Sequence, residues 1–427
     1  MSPAVITLIV LGVVALLFVT EIIPLAITAM GGAIVLGVIG IIPMKEVFSG
    51  LSNSTVVLFA GMFVIGASMF HTGLAQKLGE NVVRVVGKSE NGLMAGTMII
   101  AALISSVSSN TGTTAALMPV IIGICSVAKI PASRQLMPLA FGAGLGGIIT
   151  LVGTPPNIIA AGSLKAAGLE PFGFFEFAWI GIPLTIAGIA YMMFIGKYLL
   201  PKAEVSADIE IDEEAAEEAK AGTTDKSKMW IIAATLIGVV IVMALDVPQF
   251  PLEVAAITGA IILVLTKCLS EKQAYTGIDW VTIFLFAGMM PIATAMDKSG
   301  AGKLIADQVV SILGGNPSPL MVTAVLFLLS GGLTQFMSNT AATALLAPIG
   351  ISIAKSLGAS PHAVLMAIAV AASCAFATPV GTPPNTLVLG PGNYKFMDYV
   401  KAGTGLVFVC FIVSIIIIPI VWPFFPK

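Results

Sequence analysis

Two stretches of this chain are near copies of each other: residues 108–119 read SSNTGTTAALMP and residues 337–348 read MSNTAATALLAP. A second phrase, VGTPPN, occurs identically at 152–157 and 380–385. The copies keep register over whole halves of the chain. Pro24 answers Pro251, Phe59-Ala60-Gly61-Met62 answers Phe286-Ala287-Gly288-Met289, and Gly73 answers Gly300, all at an offset of 227. The offset drifts only to 229 at Asn110 and Asn339, and to 228 at Thr154 and Thr382. Register this steady marks a duplicated unit, so any fold must be buildable twice from one plan.

The unit is not a soluble one. Of 427 residues 57% are hydrophobic and only 10% are charged, which places the chain among polytopic membrane proteins. Apolar runs of helical-span length follow one another with short polar breaks. Lipid leaves no backbone polar group satisfied except within a helix or a closed barrel, so the spans are expected to be helical. In the first half they fall near 4–20, 24–42, 54–71, 133–165 and 174–199; in the second, near 229–246, 251–268, 280–297, 361–390 and 404–425. Each half adds one hairpin carrying Ser-Asn-Thr, at 93–128 and 317–356. The expected domains are a first repeat over 1–202, an acidic cytoplasmic linker over 203–228, and a second repeat over 229–427. Residues 72–90 and 298–316 read as helices lying along the membrane surface. The first apolar run has no preceding Lys or Arg and reads as a retained span, not a signal peptide.

Basic residues favour the cytoplasmic side. With five spans per half and the N-terminus outside, Lys77, Arg84, Lys88, Lys129, Arg134 and the linker lysines fall together in the cytoplasm. A single crossing by each Ser-Asn-Thr segment would separate Lys129 and Arg134 from Lys77, Arg84 and Lys88. The charges leave open whether each segment is a re-entrant hairpin or two complete crossings. An odd number of spans per half turns the second copy upside down, the inverted repeat of secondary transporters. Both termini are then expected outside.

The polar residues of the repeat lie inside apolar segments. Ser109, Asn110 and Thr111 separate two apolar arms, and Ser338, Asn339 and Thr340 do the same in the second copy. A turn at such a place leaves helix-end N–H and C=O groups that must face protein, water or ligand. Helix N-termini attract anions. The paired prolines of GTPPN should break spans 133–165 and 361–390 at mid-membrane, with Gly153 and Gly381 permitting unusual backbone angles. Asn110, Thr111, Thr154, Asn339, Thr340 and Thr382 are therefore expected to converge on one polar cavity. Neither tip nor break contains Asp, Glu, Lys, Arg or His. That disfavours a carboxylate-based proton carrier and suits a small oxyanion accompanied by cations. His71, His362, Asp246, Asp279 and Asp297 lie near span ends and read as interfacial. Glu21 reads as the turn between the first two spans, and Cys125, Cys268, Cys374 and Cys410 as packing residues.

Paired Ser-Asn-Thr tips, each followed by a Gly-Thr-Pro-Pro-Asn break, resemble the divalent anion/sodium symporter family of di- and tricarboxylate and sulfate transporters. The resemblance covers nearly the whole chain. It implies a homodimer in which a scaffold part holds the partner while a transport part moves like an elevator. It also implies that Asn110, Thr111, Asn339, Thr340, Thr154 and Thr382 touch substrate carboxylates. By the same resemblance Ser105, Ser109, Asn110 and Gly153 form one sodium site, and Thr334, Ser338, Asn339 and Gly381 its inverted partner. Many members carry an additional N-terminal span that this chain does not show. The expectation is a sodium-coupled transporter of small dicarboxylates, of the succinate, malate or 2-oxoglutarate class, in the cytoplasmic membrane. Sodium-independent exchange and sulfate transport are the alternatives. The expected partners are the dicarboxylate substrate, membrane lipid and a second copy, and nucleic acid is not among them. An intramembrane enzyme using Ser109 or Thr111 is disfavoured, because no base lies in the same motifs. A channel is disfavoured by two opposed tips that suit a closed site.

Overall fold

The computed structural model describes residues 1–78, 89–201, 226–245, 249–315 and 317–426. All regular structure among them is helical. The first half contains α1 (Pro3–Thr20), α2 (Leu25–Val38), α3 (Ser54–His71), α4 (Glu90–Ser105), α5 (Asn110–Ala128), α6 (Leu136–Gly147), α7 (Pro155–Ala166) and α8 (Ala178–Tyr191). A π turn carries α8 onward to Leu199. The second half contains α9 (Lys226–Ala244), α10 (Leu252–Leu265), α11 (Glu271–Thr276), α12 (Trp280–Ser299), α13 (Ala301–Ile312), α14 (Pro319–Leu333), α15 (Asn339–Ser356), α16 (Pro361–Ser373), α17 (Pro383–Leu389) and α18 (Phe396–Val421). Most of the acidic linker, most of the surface segment at 72–90, and Asp246 lie outside the described residues.

Among the described residues seven helices have the length and apolarity of a full crossing: α1, α3, α5, α8 with its extension, α9, α12 and α18. The helices α2, α4, α10, α14 and α16 are apolar but shorter. The 14 residues of α2 and of α10 reach about 21 Å at 1.5 Å per residue, so flanking loop completes those runs. Pro24 and Pro251 set where both begin, since each sits just before the first helical residue and cannot continue a helix on its own N-terminal side.

The long runs 133–165 and 361–390 are broken as the prolines require. The first becomes α6 and α7, the second α16 and α17, and in both Pro-Pro opens the new helix. Proline fits a first turn because the missing N–H has no partner there. The hairpin arms differ from expectation in one respect. Asn110 and Asn339 are the first helical residues of α5 and α15, not members of a loose turn. Ser109 and Ser338 cause this by capping: their Oγ atoms accept from the Gly112 and Ala341 amides at 3.3 and 3.1 Å, the interaction that fixes a helix start.

The repeats interlock by reciprocal contacts. Helix α2 packs on α12, and its counterpart α10 packs on α3, the counterpart of α12. A Cβ placed on Gly61 would come within 2.7 Å of the Ala256 carbonyl carbon; one on Gly288 would meet Ala29 at the same 2.7 Å. These are one contact seen from both copies, as a two-fold relation demands. The centre is α6 and α16, buried along their lengths except at His362 in the first turn of α16. Apolar side chains such as Leu16, Trp179, Phe194, Trp230, Ile237 and Phe408 stay exposed on α1, α8, α9 and α18. That outer apolar surface belongs in hydrocarbon.

Candidate functional site

One cavity of about 940 Å³ is lined by both Ser-Asn-Thr tips and both Gly-Thr-Pro segments. Asn110, Thr111, Thr154, Asn339, Thr340 and Thr382 all border it, as do Ser109, Gly153, Ser338 and Gly381. Ser105 and Thr334 do not border it. They are fully buried behind the two asparagines and meet them at 2.5 and 2.6 Å. The segments that the doubled motifs singled out thus meet around one cavity.

The helix starts give the cavity its character. The N-termini of α5, α7, α15 and α17 all open on it. Free first-turn amides and aligned peptide dipoles make the starts of α5 and α15 partially positive without any charged side chain. Pro-Pro removes amide donors from the starts of α7 and α17, and Thr154 and Thr382 hold extended backbone there with no side-chain capping bond. Their hydroxyls are therefore not engaged in capping, beside the space.

Each asparagine amide faces a ring of oxygens. Around Asn110 stand Ser105 Oγ at 2.5 Å and the Ala143 and Gly153 carbonyls at 3.3 Å. Around Asn339 stand Thr334 Oγ1 at 2.6 Å and the Ala372 and Gly381 carbonyls at 3.1 Å. With Nδ2 turned inward the amide donates to this ring, and every member is satisfied. Turned by 180°, it presents Oδ1 to the same oxygens and completes an all-oxygen set, the donor chemistry of a hard cation. The hydroxyls of Ser105 and Thr334 serve either orientation, because each can donate or accept.

A second tier of residues, which sequence reasoning did not single out, holds the breaks open. Asn157 Nδ2 donates to the Gly147 and Thr150 carbonyls at 3.2 and 2.8 Å, and Asn385 Nδ2 donates to the Ala375 and Thr378 carbonyls at 2.8 and 2.9 Å. These carbonyls lost their helical partners where α6 and α16 end. Thr150 Oγ1 donates to the Ser106 carbonyl, and Thr378 Oγ1 donates to that of Gln335 at 2.6 Å. Each hairpin tip is thereby tied to its neighbouring break. The signal was present: Asn157 and Asn385 belong to the doubled phrase, and Thr150 and Thr378 keep its offset of 228.

Two expectations are corrected. Gly153 and Gly381 are not among the glycines with positive φ; the requirement is close approach. A Cβ on Gly153 would lie 2.5 Å from the Gly147 carbonyl oxygen, and one on Gly381 would lie 2.7 Å from that of Thr334. The cavity is also not free of carboxylates, since Glu21 and Asp279 border it. Both lie at helix ends as read, but the chain's tertiary path brings those ends to the cavity mouth. Asp279 is also the N-cap of α12, accepting from the Thr282 amide at 3.1 Å. Phe59, Phe63, Phe70 and Phe336 supply apolar wall. Elsewhere, His362 bonds to its neighbour Ser360 and to the Glu170 carbonyl of the first repeat, and all four cysteines are buried and free.

The chain matches the citrate transporter family, CitMHS, over residues 15–358 and 250–426. It is 25% identical to the uncharacterized transporter YfbS of Escherichia coli, covering 97% of this chain and 98% of that one. An uncharacterized transporter of Haemophilus influenzae is 31% identical over 94% of this chain and 88% of its own length. The sodium-dependent dicarboxylate transporter SdcS of Staphylococcus saprophyticus is 26% identical over 95% and 83%. Among solved structures, the Alcanivorax borkumensis YdaH transporter shares the fold, with a TM-score of 0.64 at 18% identity over 97% of this chain and 100% of that one. The Neisseria gonorrhoeae protein MtrF does so with a TM-score of 0.65 at 13% identity, over 98% and 95%. These findings agree with the paired cavity segments: the chain is a multi-pass membrane transporter, not an enzyme, and belongs to the citrate transporter family.

Proposed function

We propose that this protein carries small dicarboxylates, of the succinate, malate or 2-oxoglutarate class, across the cytoplasmic membrane with sodium as the coupled ion. The observation that carries the reading is the convergence of two capped helix starts, α5 and α15, on one cavity. Two carboxylate groups of one substrate match two such starts, each adding Asn and Thr side chains as donors. In this reading Asn110, Thr111 and Thr154 hold one carboxylate and Asn339, Thr340 and Thr382 the other. The sodium ligands in this reading are Ser105, Ser109, Asn110 and Gly153 on one side and Thr334, Ser338, Asn339 and Gly381 on the other; Ser105, Gly153, Thr334 and Gly381 stand in the oxygen rings behind the asparagines, and Ser109 and Ser338 are the helix caps beside them. Tips and breaks without charged side chains suit reversible binding, because a dianion brought with cations is nearly neutral when the site moves.

The hairpins α4–α5 and α14–α15 are re-entrant in this reading, the repeats are inverted, and a homodimer scaffold supports an elevator movement of the site. The similarity to SdcS, a sodium-dependent dicarboxylate transporter by name, supports the substrate class and the ion. The test is uptake of labelled succinate into proteoliposomes under a sodium gradient. Asn110→Ala and Asn339→Ala should each abolish uptake while the protein still reaches the membrane; normal uptake by both would sink the assignment. One observation favours a second reading. With Nδ2 inward, both asparagines satisfy their oxygen rings without any cation, as a sodium-independent exchanger would need. Uptake that requires internal dicarboxylate and ignores sodium would establish that mode, and competition by sulfate but not succinate would move the substrate class to sulfate.

A further inference from the structure

A second cavity, of about 470 Å³, lies end to end with the first. Three helices line both. The starts of α7, α12 and α15 border the first cavity through Thr154, Thr282 and Asn339, and their far ends border the second through Ser163, Lys298 and Lys355. Between the two spaces stand Phe59 and Phe286, equivalent residues of the repeat, with ring centroids 5.8 Å apart in an edge-on contact.

The two ends carry opposite charge. Glu21 and Asp279 border the first cavity, whereas Lys298, Lys303 and Lys355 border the second, with Asp297 as its carboxylate. Lys298 is paired with Glu46 at 2.7 Å. Lys303 and Lys355 are exposed and make no ion pair among the described residues. Duplication did not supply these lysines. At the same offsets the first repeat has His71, Gln76 and Ser126, none of them a fixed cation.

We propose that the second cavity is a vestibule that collects small dianions for the main site, on the membrane face opposite the Asp279 mouth, with Lys303 and Lys355 as its binding groups. This rests on reading the main cavity as the transport site. With the linker end of the repeat in the cytoplasm the vestibule faces outward, so its lysines raise the local concentration of dianion where uptake begins.

A cysteine reporter tests the proposal without needing transport. Thr294 lines the vestibule, and the four native cysteines are buried, so Thr294→Cys gives one accessible thiol. On intact cells a membrane-impermeant maleimide should label it, and succinate or sulfate should slow labelling relative to chloride at equal ionic strength. After screening by salt, each exposed lysine favours a nearby dianion by about threefold and Asp297 offsets one of the two, so the protection expected is about threefold. Lys303→Gln with Lys355→Gln should remove the protection, and Lys303→Arg with Lys355→Arg should keep it. Protection must survive in Asn110→Ala, where the main site is disabled; its loss there would mean a conformational change relayed from the main site and would overturn the vestibule. Absence of labelling from outside, or protection indifferent to the lysines, would overturn it as well. Protection by sulfate alone would support the vestibule while counting against the dicarboxylate reading of the main site, so the two failures are distinguishable.

Discussion

Asn157 and Asn385 show how a polar residue in the membrane can matter without touching substrate. Each is fully buried, and its amide takes up two carbonyls left over where a helix stops. Removing such a donor leaves buried acceptors unpaired, at a cost of about 1–3 kcal/mol. Asn157→Ala and Asn385→Ala are therefore expected to lower thermal stability in detergent by that order, and Asn157→Asp, which has no donor to offer when ionised, should be no better. At this scale the sequence was legible where chemistry was written twice. Asn110 and Asn339 could be named from the doubled motif alone. Asp279 could not be, because its place at the cavity depends on the path of α12, and a lone Asp before an apolar run reads equally well as a simple helix cap.

At the scale of elements, packing distance separates glycines that permit contact from those that merely occupy a helix. Gly142 and Gly146 lie on one face of α6 against Met98 and Ala102 of α4. A Cβ at Gly142 would meet the Met98 Cα at 2.8 Å, and one at Gly146 would meet the Ala102 Cα at 2.2 Å. Small residues four apart let membrane helices approach this closely. Gly146→Ala must push α4 away and should destabilise by about 1–3 kcal/mol, with Gly142→Ala milder. Gly12 in α1 has nothing within 4 Å, so Gly12→Ala should be neutral or stabilising by up to about 1 kcal/mol through helix propensity. Thermal unfolding of the three variants checks the order. Because α4 leads directly into the Ser109 cap, Gly146→Ala should also reduce uptake beyond its loss of folded protein. Element boundaries were readable where proline or a capping serine enforces them. They were not at α18, which begins at Phe396 although the apolar run starts near 404; polar residues such as Lys401 are exposed on its first turns, and periodic hydropathy does not see a helix that starts outside the hydrocarbon.

For the whole molecule, the reciprocal contacts of Gly61 with Ala256 and Gly288 with Ala29 establish a two-fold relation between halves, and the remaining question is how its axis meets the membrane. An axis in the membrane plane exchanges the two faces, whereas an axis along the normal does not. The Cys268 thiol lies 3.9 Å from the Lys228 carbonyl, so the start of α9 and the end of α10 share a side, and the Asp279 mouth follows directly. If the repeats are inverted, α1 must begin on the side opposite α9. Ser2→Cys at the start of α1 should then react with an impermeant maleimide on intact cells, and Lys226→Cys at the start of α9 only after permeabilisation. Labelling of both from one side would place the axis along the normal. The site would then have two mouths of one kind on one face, and the acidic and basic ends of the pathway would lose their assignment to opposite compartments.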